Sequence, residues 1–160
     1  MSIERARAHL RKWNLEERIQ EFEVSSATVE LAAKALNIEG ARIAKTLSYM
    51  VDGSAVLVVA AGDIRVDNRK FKDTFHTKAK MLTHEEAVER IGHAVGGVCP
   101  FALPENVAVY LDESLKRFET VFPAAGSSNS AVEMTCAELE KYASNFRCWV
   151  DVCKGWREEA

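Results

Sequence analysis

The sequence predicts a single α/β domain built on a mixed sheet. Three observations carry that reading. Strand-like runs interleave with short helical stretches, as in domains that cover a sheet with helices. Two apolar runs, 43–51 and 54–61, are joined by Asp52-Gly53, a turn pair that favours a two-residue hairpin, so at least one pairing is antiparallel. And neither a Gly-x-Gly-x-x-Gly fingerprint nor a P-loop opens a helix anywhere, which removes support for a doubly wound nucleotide fold.

The chain has 160 residues, a length that suits one core. Hydrophobic residues make up 48%, enough to fold as a soluble globule. The formal net charge of −3 argues against a dedicated nucleic-acid coat but leaves room for a local basic patch. The start, Met1 to Arg7, is charged and unlike a signal peptide, and the longest apolar stretch, Ala55 to Ala61, is too short to cross a bilayer. A cytoplasmic protein with no membrane partner is expected. Cys99, Cys136, Cys148 and Cys153 form no Cys-x-x-Cys pair, so they read as reduced thiols and not as a zinc site.

The elements follow in order. Residues 2–13 place Ile3, Ala6, Leu10 and Trp13 on one helical stripe, forming an N-terminal helix packed on the domain. A short strand is expected near Ile19–Val24. Ser26 can cap a helix whose Val29, Ala32, Ala33 and Leu36 recur at helical spacing. After the hairpin, whose second strand is apolar on both faces and so central, residues 65–80 are basic, with a short helix around 67–73. Thr83 and Glu86 form a capping box for a helix over 84–91, stopped by Gly92. Residues 93–101 read as a loop or a broken strand. A strand over 107–111 follows, and Asp112 caps a short helix to Phe118. Strands near 119–124 and 130–134 flank a polar turn, which is read structurally as a hairpin connection. Thr135 and Glu138 make a second capping box, for a helix that buries Leu139, Tyr142, Ala143 and Phe146. A last strand is expected over 147–153.

Lys45 is the residue most out of place. Alternation puts it on one strand face with Ile43, Leu47, Tyr49 and Val51. Either its stem packs on the core while the ammonium reaches water, or the ammonium sits at a pocket floor, where it can hold a phosphate, ribose or carbonyl oxygen. The run Gly96-Gly97-Val98-Cys99-Pro100 is either a surface turn or a backbone concavity that approaches a ligand closely. Gly126-Ser127-Ser128-Asn129-Ser130 is either a plain turn or a set of polar groups for a substrate amine or hydroxyl. The cations Arg65, Arg69, Lys70, Lys72, Lys78 and Lys80, broken by Asp63, Asp67 and Asp73, form a solvated face or meet a sugar–phosphate backbone. His93 and Cys99 raise a thiol-hydrolase alternative, which needs the two in hydrogen-bond reach. His9, His76 and His84 read as surface residues.

In their order and spacing, Ala44-Lys45-Thr46-Leu47, Gly96 to Pro100, and Gly126 to Met134 leading into Thr135-Cys136-Ala137-Glu138-Leu139 resemble the YbaK/EbsC family. That family includes the editing domain inserted in bacterial prolyl-tRNA synthetases and its free-standing relatives. The resemblance runs from about Ser26 to Ala143. It implies a single domain with a mixed, largely antiparallel sheet surrounded by short helices. It also implies hydrolysis of mischarged aminoacyl-tRNA carrying a small amino acid such as Ala, Ser, Thr or Cys, with no metal and no cofactor. By resemblance Lys45, Gly96 and Gly97 carry catalysis. Thr46, Val98, Cys99, Pro100, Phe101, Gly126, Ser128, Asn129, Ser130 and Glu133 shape the substrate site. The partners implied are the aminoacyl-tRNA acceptor end and a synthetase. Glu133 stands where synthetase-inserted members carry a histidine, and Ala131 where some members carry an aspartate, so the amino acid is left open. A non-catalytic module that binds a tRNA end or a nucleotide is the alternative.

Overall fold

A computed structural model describes residues 2–23, 28–93, 98–127 and 129–154. The chain opens with helix α1 (Ser2–Arg11). A 3-10 turn leads to strand β1 (Ile19–Glu21), then to helix α2 (Val29–Leu36). The hairpin follows as β2 (Ile43–Val51) and β3 (Ser54–Ala61), with the bounds the apolar runs predict. Next come β4 (Arg65–Val66), α3 (Asn68–Phe75), α4 (His84–Ile91) and β5 (Ala108–Asp112). A 3-10 turn over Glu113–Arg117 precedes β6 (Thr120–Pro123), β7 (Ser130–Val132) and β8 (Met134–Thr135). The last elements are α5 (Cys136–Tyr142), β9 (Phe146–Val150) and β10 (Cys153–Lys154).

Among the described residues six strands form one mixed sheet in the order β8-β6-β2-β3-β5-β9. Its longest ladder is the antiparallel β2–β3 hairpin, and β6–β8 is antiparallel too. The pairings β2–β6, β3–β5 and β5–β9 run parallel. Two further antiparallel pairs, β1–β7 and β4–β10, stand outside the main sheet. Asp52 and Gly53 both take positive φ, 49° and 80°, the conformation a tight twisted hairpin requires. Strand β3 is central, as its composition predicts: Leu57, Val58, Val59, Ala60 and Ala61 are completely buried.

Local signals act as expected at several helix ends. Thr83 and Glu86 bond reciprocally at the start of α4, and Gly92 ends that helix in the left-handed region. Thr135 and Glu138 do the same for α5. Asp112 accepts the Ser114 N–H at 2.9 Å and starts the 3-10 turn.

Other expectations need correction. Helix α1 ends at Arg11, and Trp13, beyond it, lies at the surface against the Tyr142 ring. Strand β1 stops at Glu21. The cap of α2 is Thr28, whose hydroxyl accepts the Leu31 N–H, and not Ser26, which falls outside the described residues. Phe146 does not belong to α5; it opens β9, because the helix closes at Tyr142. The strand expected over 147–153 is two strands, β9 and β10. The polar turn 126–129 is no hairpin connection: β6 pairs with β2 and β8, while β7 crosses to β1.

Most buried side chains form one cluster around β3, which includes Ala6 and Leu10 of α1. A smaller cluster of Ala32, Ile43, Phe122 and Ala131 lies under α2. It is this smaller cluster that borders the candidate site.

Candidate functional site

The site grows from a gap in the outer ladder of β2. At one end β6 pairs with Ile43 and Ala44. At the other, the segment 80–82 pairs with 48–50: the Met50 N–H donates to the Lys80 carbonyl at 2.9 Å, and the Leu82 N–H donates to the Ser48 carbonyl at 3.1 Å. Ser48 and Met50 therefore turn their main-chain groups away from β3, and by alternation Thr46 does too. Among the described residues no strand covers Thr46 on that side. Its Oγ1 is also buried without a hydrogen-bond partner among them. A buried polar group left unpaired calls for an explanation, and an open strand edge beside a cavity offers one.

A cavity of about 500 Å³ opens on this gap. Strand β2 supplies Lys45, Thr46 and Ser48; α2 supplies Val29 and Ala32. Phe122, Ala124, Ser130 and Ala131 close one wall, and Val98, Met81 and His84 stand on the others. The lining is mainly apolar, with a few polar groups converging on it, the usual composition of a small-molecule site.

Lys45 is half-buried at this wall. Its ammonium donates to the Ile64 carbonyl. Burial pushes its pKa below the ordinary lysine value; the Asp63 and Glu30 carboxylates partly offset this, and Arg65 adds to it. Lys45 therefore does not simply run out to water. Lys45 contributes to the cavity lining, while its ammonium is tied to the Ile64 carbonyl, which is not itself a lining group.

The structure brings together Lys45, Thr46, Val98 and Ser130 around the cavity. Gly96, Gly97 and Ser128 lie outside the described residues. Cys99, Pro100 and Phe101 are buried and do not line the cavity. Instead they anchor their loop: the Pro100 carbonyl accepts the Ser144 N–H at 2.7 Å. Asn129 faces β1, where its side-chain amide donates to the Phe22 carbonyl at 2.8 Å, and its own carbonyl accepts the Phe22 N–H. Gly126, with φ of 95°, shapes the turn without reaching the cavity wall.

Glu133 points elsewhere. Val132 and Met134 are buried, so Glu133 between them faces out. It accepts the Thr120 hydroxyl at 2.6 Å, lies 3.5 Å from the Arg42 guanidinium, and borders a separate depression with Arg18 and Glu138.

Cys99 and His93 do meet, with Sγ 3.6 Å from Nε2. Both are buried, and burial pushes the Cys99 thiol up to about 12. The same Nε2 is 2.9 Å from the Phe101 carbonyl, and burial lowers the His93 pKa. A protonated thiol in the core is no nucleophile. His84 is exposed as expected but borders the cavity, whereas His9 is half-buried against the Tyr142 carbonyl.

Sequence reasoning missed Ser48, Met81, Phe122 and Ala124 on the walls. Ser48 was within reach of it, since period two places Ser48 on the face of Thr46. The others come from segments distant in the chain. Among the described residues no three His, Cys, Asp or Glu side chains gather as metal ligands would, and no helix is long and apolar enough to cross a membrane.

A family model described as an aminoacyl-tRNA editing domain matches residues 23–142. The uncharacterized protein YwhH of Bacillus subtilis (strain 168) is 52% identical over 157 residues, which cover 98% of this chain and 99% of that protein. A proline–tRNA ligase of Leuconostoc citreum (strain KM20) is 34% identical over 87 residues, 54% of this chain but 15% of the ligase. Among solved structures, that of a proposed trans-editing enzyme for prolyl tRNA synthetase superposes with a TM-score of 0.84 at 27% identity, covering 96% of this chain and 98% of that one.

Proposed function

The chain belongs to the aminoacyl-tRNA editing domain family, and from that premise we propose that it deacylates mischarged aminoacyl-tRNA in trans. The observation that carries the proposal is the cavity at the β2 gap, lined by a half-buried lysine and by a threonine whose hydroxyl has no partner among the described residues.

An aminoacyl ester is already activated toward water. Hydrolysis needs the ester held in place and the developing oxyanion stabilised more than it needs a strong base. Water adds to the ester carbonyl and loses a proton to solvent, directly or relayed through a substrate hydroxyl, and the tetrahedral oxyanion collapses as the departing ribose oxygen takes up a proton. The acyl C–O bond breaks, releasing the amino acid and restoring the ribose hydroxyl at the tRNA's 3′ end. Lys45 contributes its charge to the substrate's carbonyl, ribose or phosphate oxygens. Thr46 offers a hydroxyl and a strand edge to the aminoacyl group, and the Gly96–Pro100 loop is the proposed source of further amide donors. The side chain of the amino acid sits against Val29, Ala32 and Phe122.

The match to proline–tRNA ligases makes alanine on proline tRNA the first substrate to test, followed by serine, threonine and cysteine. One methylene changes binding in an apolar pocket by only ~1–3 kcal/mol, so synthetases that handle small substrates need a second sieve. On this reading the reaction belongs to the cytoplasmic pool of charged tRNA and proceeds without a metal. The test is a deacylation panel of Ala-, Ser-, Thr-, Cys- and Pro-tRNA, with and without EDTA. Multiple turnover of at least one mischarged species, unchanged by EDTA, supports the proposal. Tight binding of tRNA with no turnover on any member would assign the fold to a non-catalytic module instead.

A further inference from the structure

The cations flagged between residues 65 and 80 have no part in the chemistry above. One of them is placed in an unusual way. Arg65 of β4 stands directly opposite Lys154 of β10 in an antiparallel pair, and both are exposed. Residues directly opposite project on the same face, so two positive charges lie side by side. Like charges in that position oppose the pairing that holds them. Neither has an ion-pair partner among the described residues. The carboxylates of the same region have other bonded partners: Asp63 with Arg117, Asp151 with Lys70, and Asp67, whose charge also reaches Lys154, with the first N–H groups of α3.

The pair also adjoins the candidate site. Ile64, whose carbonyl takes the Lys45 ammonium, is the residue immediately before Arg65. Arg65 is close enough for its charge to act on Lys45. A line of positive charge therefore leads from the cavity wall, past Ile64, to Arg65 and across the ladder to Lys154.

We propose that Arg65 and Lys154 together seat the phosphodiesters of the single-stranded acceptor end of a charged tRNA, just behind the ester held at Lys45. This rests on the editing reading above. An RNA end brings its phosphates one after another behind the aminoacyl ribose, and a phosphate between the two cations would relieve their repulsion. Contacts of this kind set affinity and position and carry no base information.

The experiment uses the full chain with both residues neutralised, Arg65→Gln with Lys154→Gln. Deacylation of Ala-tRNA is followed across a potassium chloride series, beside hydrolysis of 3′-O-alanyl-adenosine, which has no phosphate. The expected result is a rise in KM for charged tRNA of roughly 10-fold and a log–log salt dependence shallower by about 1–2, as loss of one or two phosphate contacts requires. Turnover of alanyl-adenosine stays at the wild-type rate. The charge-preserving Arg65→Lys variant keeps the wild-type KM. Unchanged KM and salt dependence in the double variant would overturn the inference, and so would an equal loss on alanyl-adenosine. If the wild type hydrolyses neither substrate, the editing reading fails by itself. The pair is then read through binding of uncharged tRNA, where the same weakening upholds it and its absence overturns it.

Discussion

Replacing Thr46 by valine should make the free protein more stable and a poorer catalyst. Thr46 Oγ1 is buried with no partner among the described residues, at the wall of the cavity. An unsatisfied buried polar group costs about 1–3 kcal/mol, and exchanging it for a methyl of the same shape recovers part of that. Valine is at home in a strand, so the backbone resists little. A gain of about 1 kcal/mol raises the melting temperature of a domain this size by roughly 2–4 °C. If the hydroxyl is kept for the substrate, its loss removes a hydrogen bond worth about 0.5–1.5 kcal/mol, up to roughly a tenfold fall in kcat/KM. The main-chain N–H and C=O of residue 46 survive the exchange, so activity should fall and not vanish. Thr46→Ser restores a hydroxyl and should restore most of the rate. The assays are calorimetric melting without substrate and deacylation under kcat/KM conditions. A melting temperature lowered by several degrees would show that the hydroxyl already has a partner in the folded protein. A melting gain with unchanged kcat/KM would show that the vacancy is not used by substrate. Either result refutes the reasoning.

Three other substitutions have expected outcomes. Lys45→Met should fold normally and lose about 10²-fold in kcat/KM, the scale for removing one donor to a developing oxyanion; deacylation assays read it. Because burial lowers the folded-state pKa of Lys45, the unfolded chain binds more protons between that value and the ordinary one near ~10.4. Wild-type stability relative to Lys45→Met should therefore rise as pH climbs through that window, in denaturant titrations at several pH values. Cys99→Ala should keep deacylation within about threefold, and native protein should resist iodoacetamide at this residue, because the thiol is buried and protonated. Asp112→Ala removes the acceptor of the Ser114 and Val152 N–H groups, each at 2.9 Å, inside the core. Leaving two buried donors unpaired costs about 2–6 kcal/mol, so melting should fall by roughly 4–24 °C in calorimetry.

What could be read before the structure was whatever a few adjacent residues decide. The β2–β3 bounds follow from two apolar runs and Asp52-Gly53. Both capping boxes follow from a threonine and a glutamate three residues apart. Partners remote in the chain left no such trace. Nothing near Ser130 announces that β7 crosses to β1, and nothing near Lys45 names the Ile64 carbonyl as its acceptor. Asn129 looked free for a substrate because its bond to Phe22 spans 107 residues. Glu133 fell to another cause: the alternation Val132-Glu133-Met134 turns it to the outside, a reading available from period two alone. Cys99 and His93 show the limit from the other side. The sequence poses their proximity only as a condition for thiol chemistry; the condition is met, but depth in the core decides their chemistry, and depth depends on the whole packing.

Strand β2 is fastened at both ends to different neighbours, β6 at Ile43 and Ala44 and the segment 80–82 at 48–50. That double fastening restricts how the segment can change in length. Adding or deleting one residue between Ala44 and Ser48 would leave both ladders able to form only if the stretch between them reversed its faces. Lys45 would then exchange sides with Thr46, and its ammonium would part from the Ile64 carbonyl while the hairpin survived. Homologues should therefore vary in the loops around the cavity, yet keep the count of residues from Ile43 to Met50 constant.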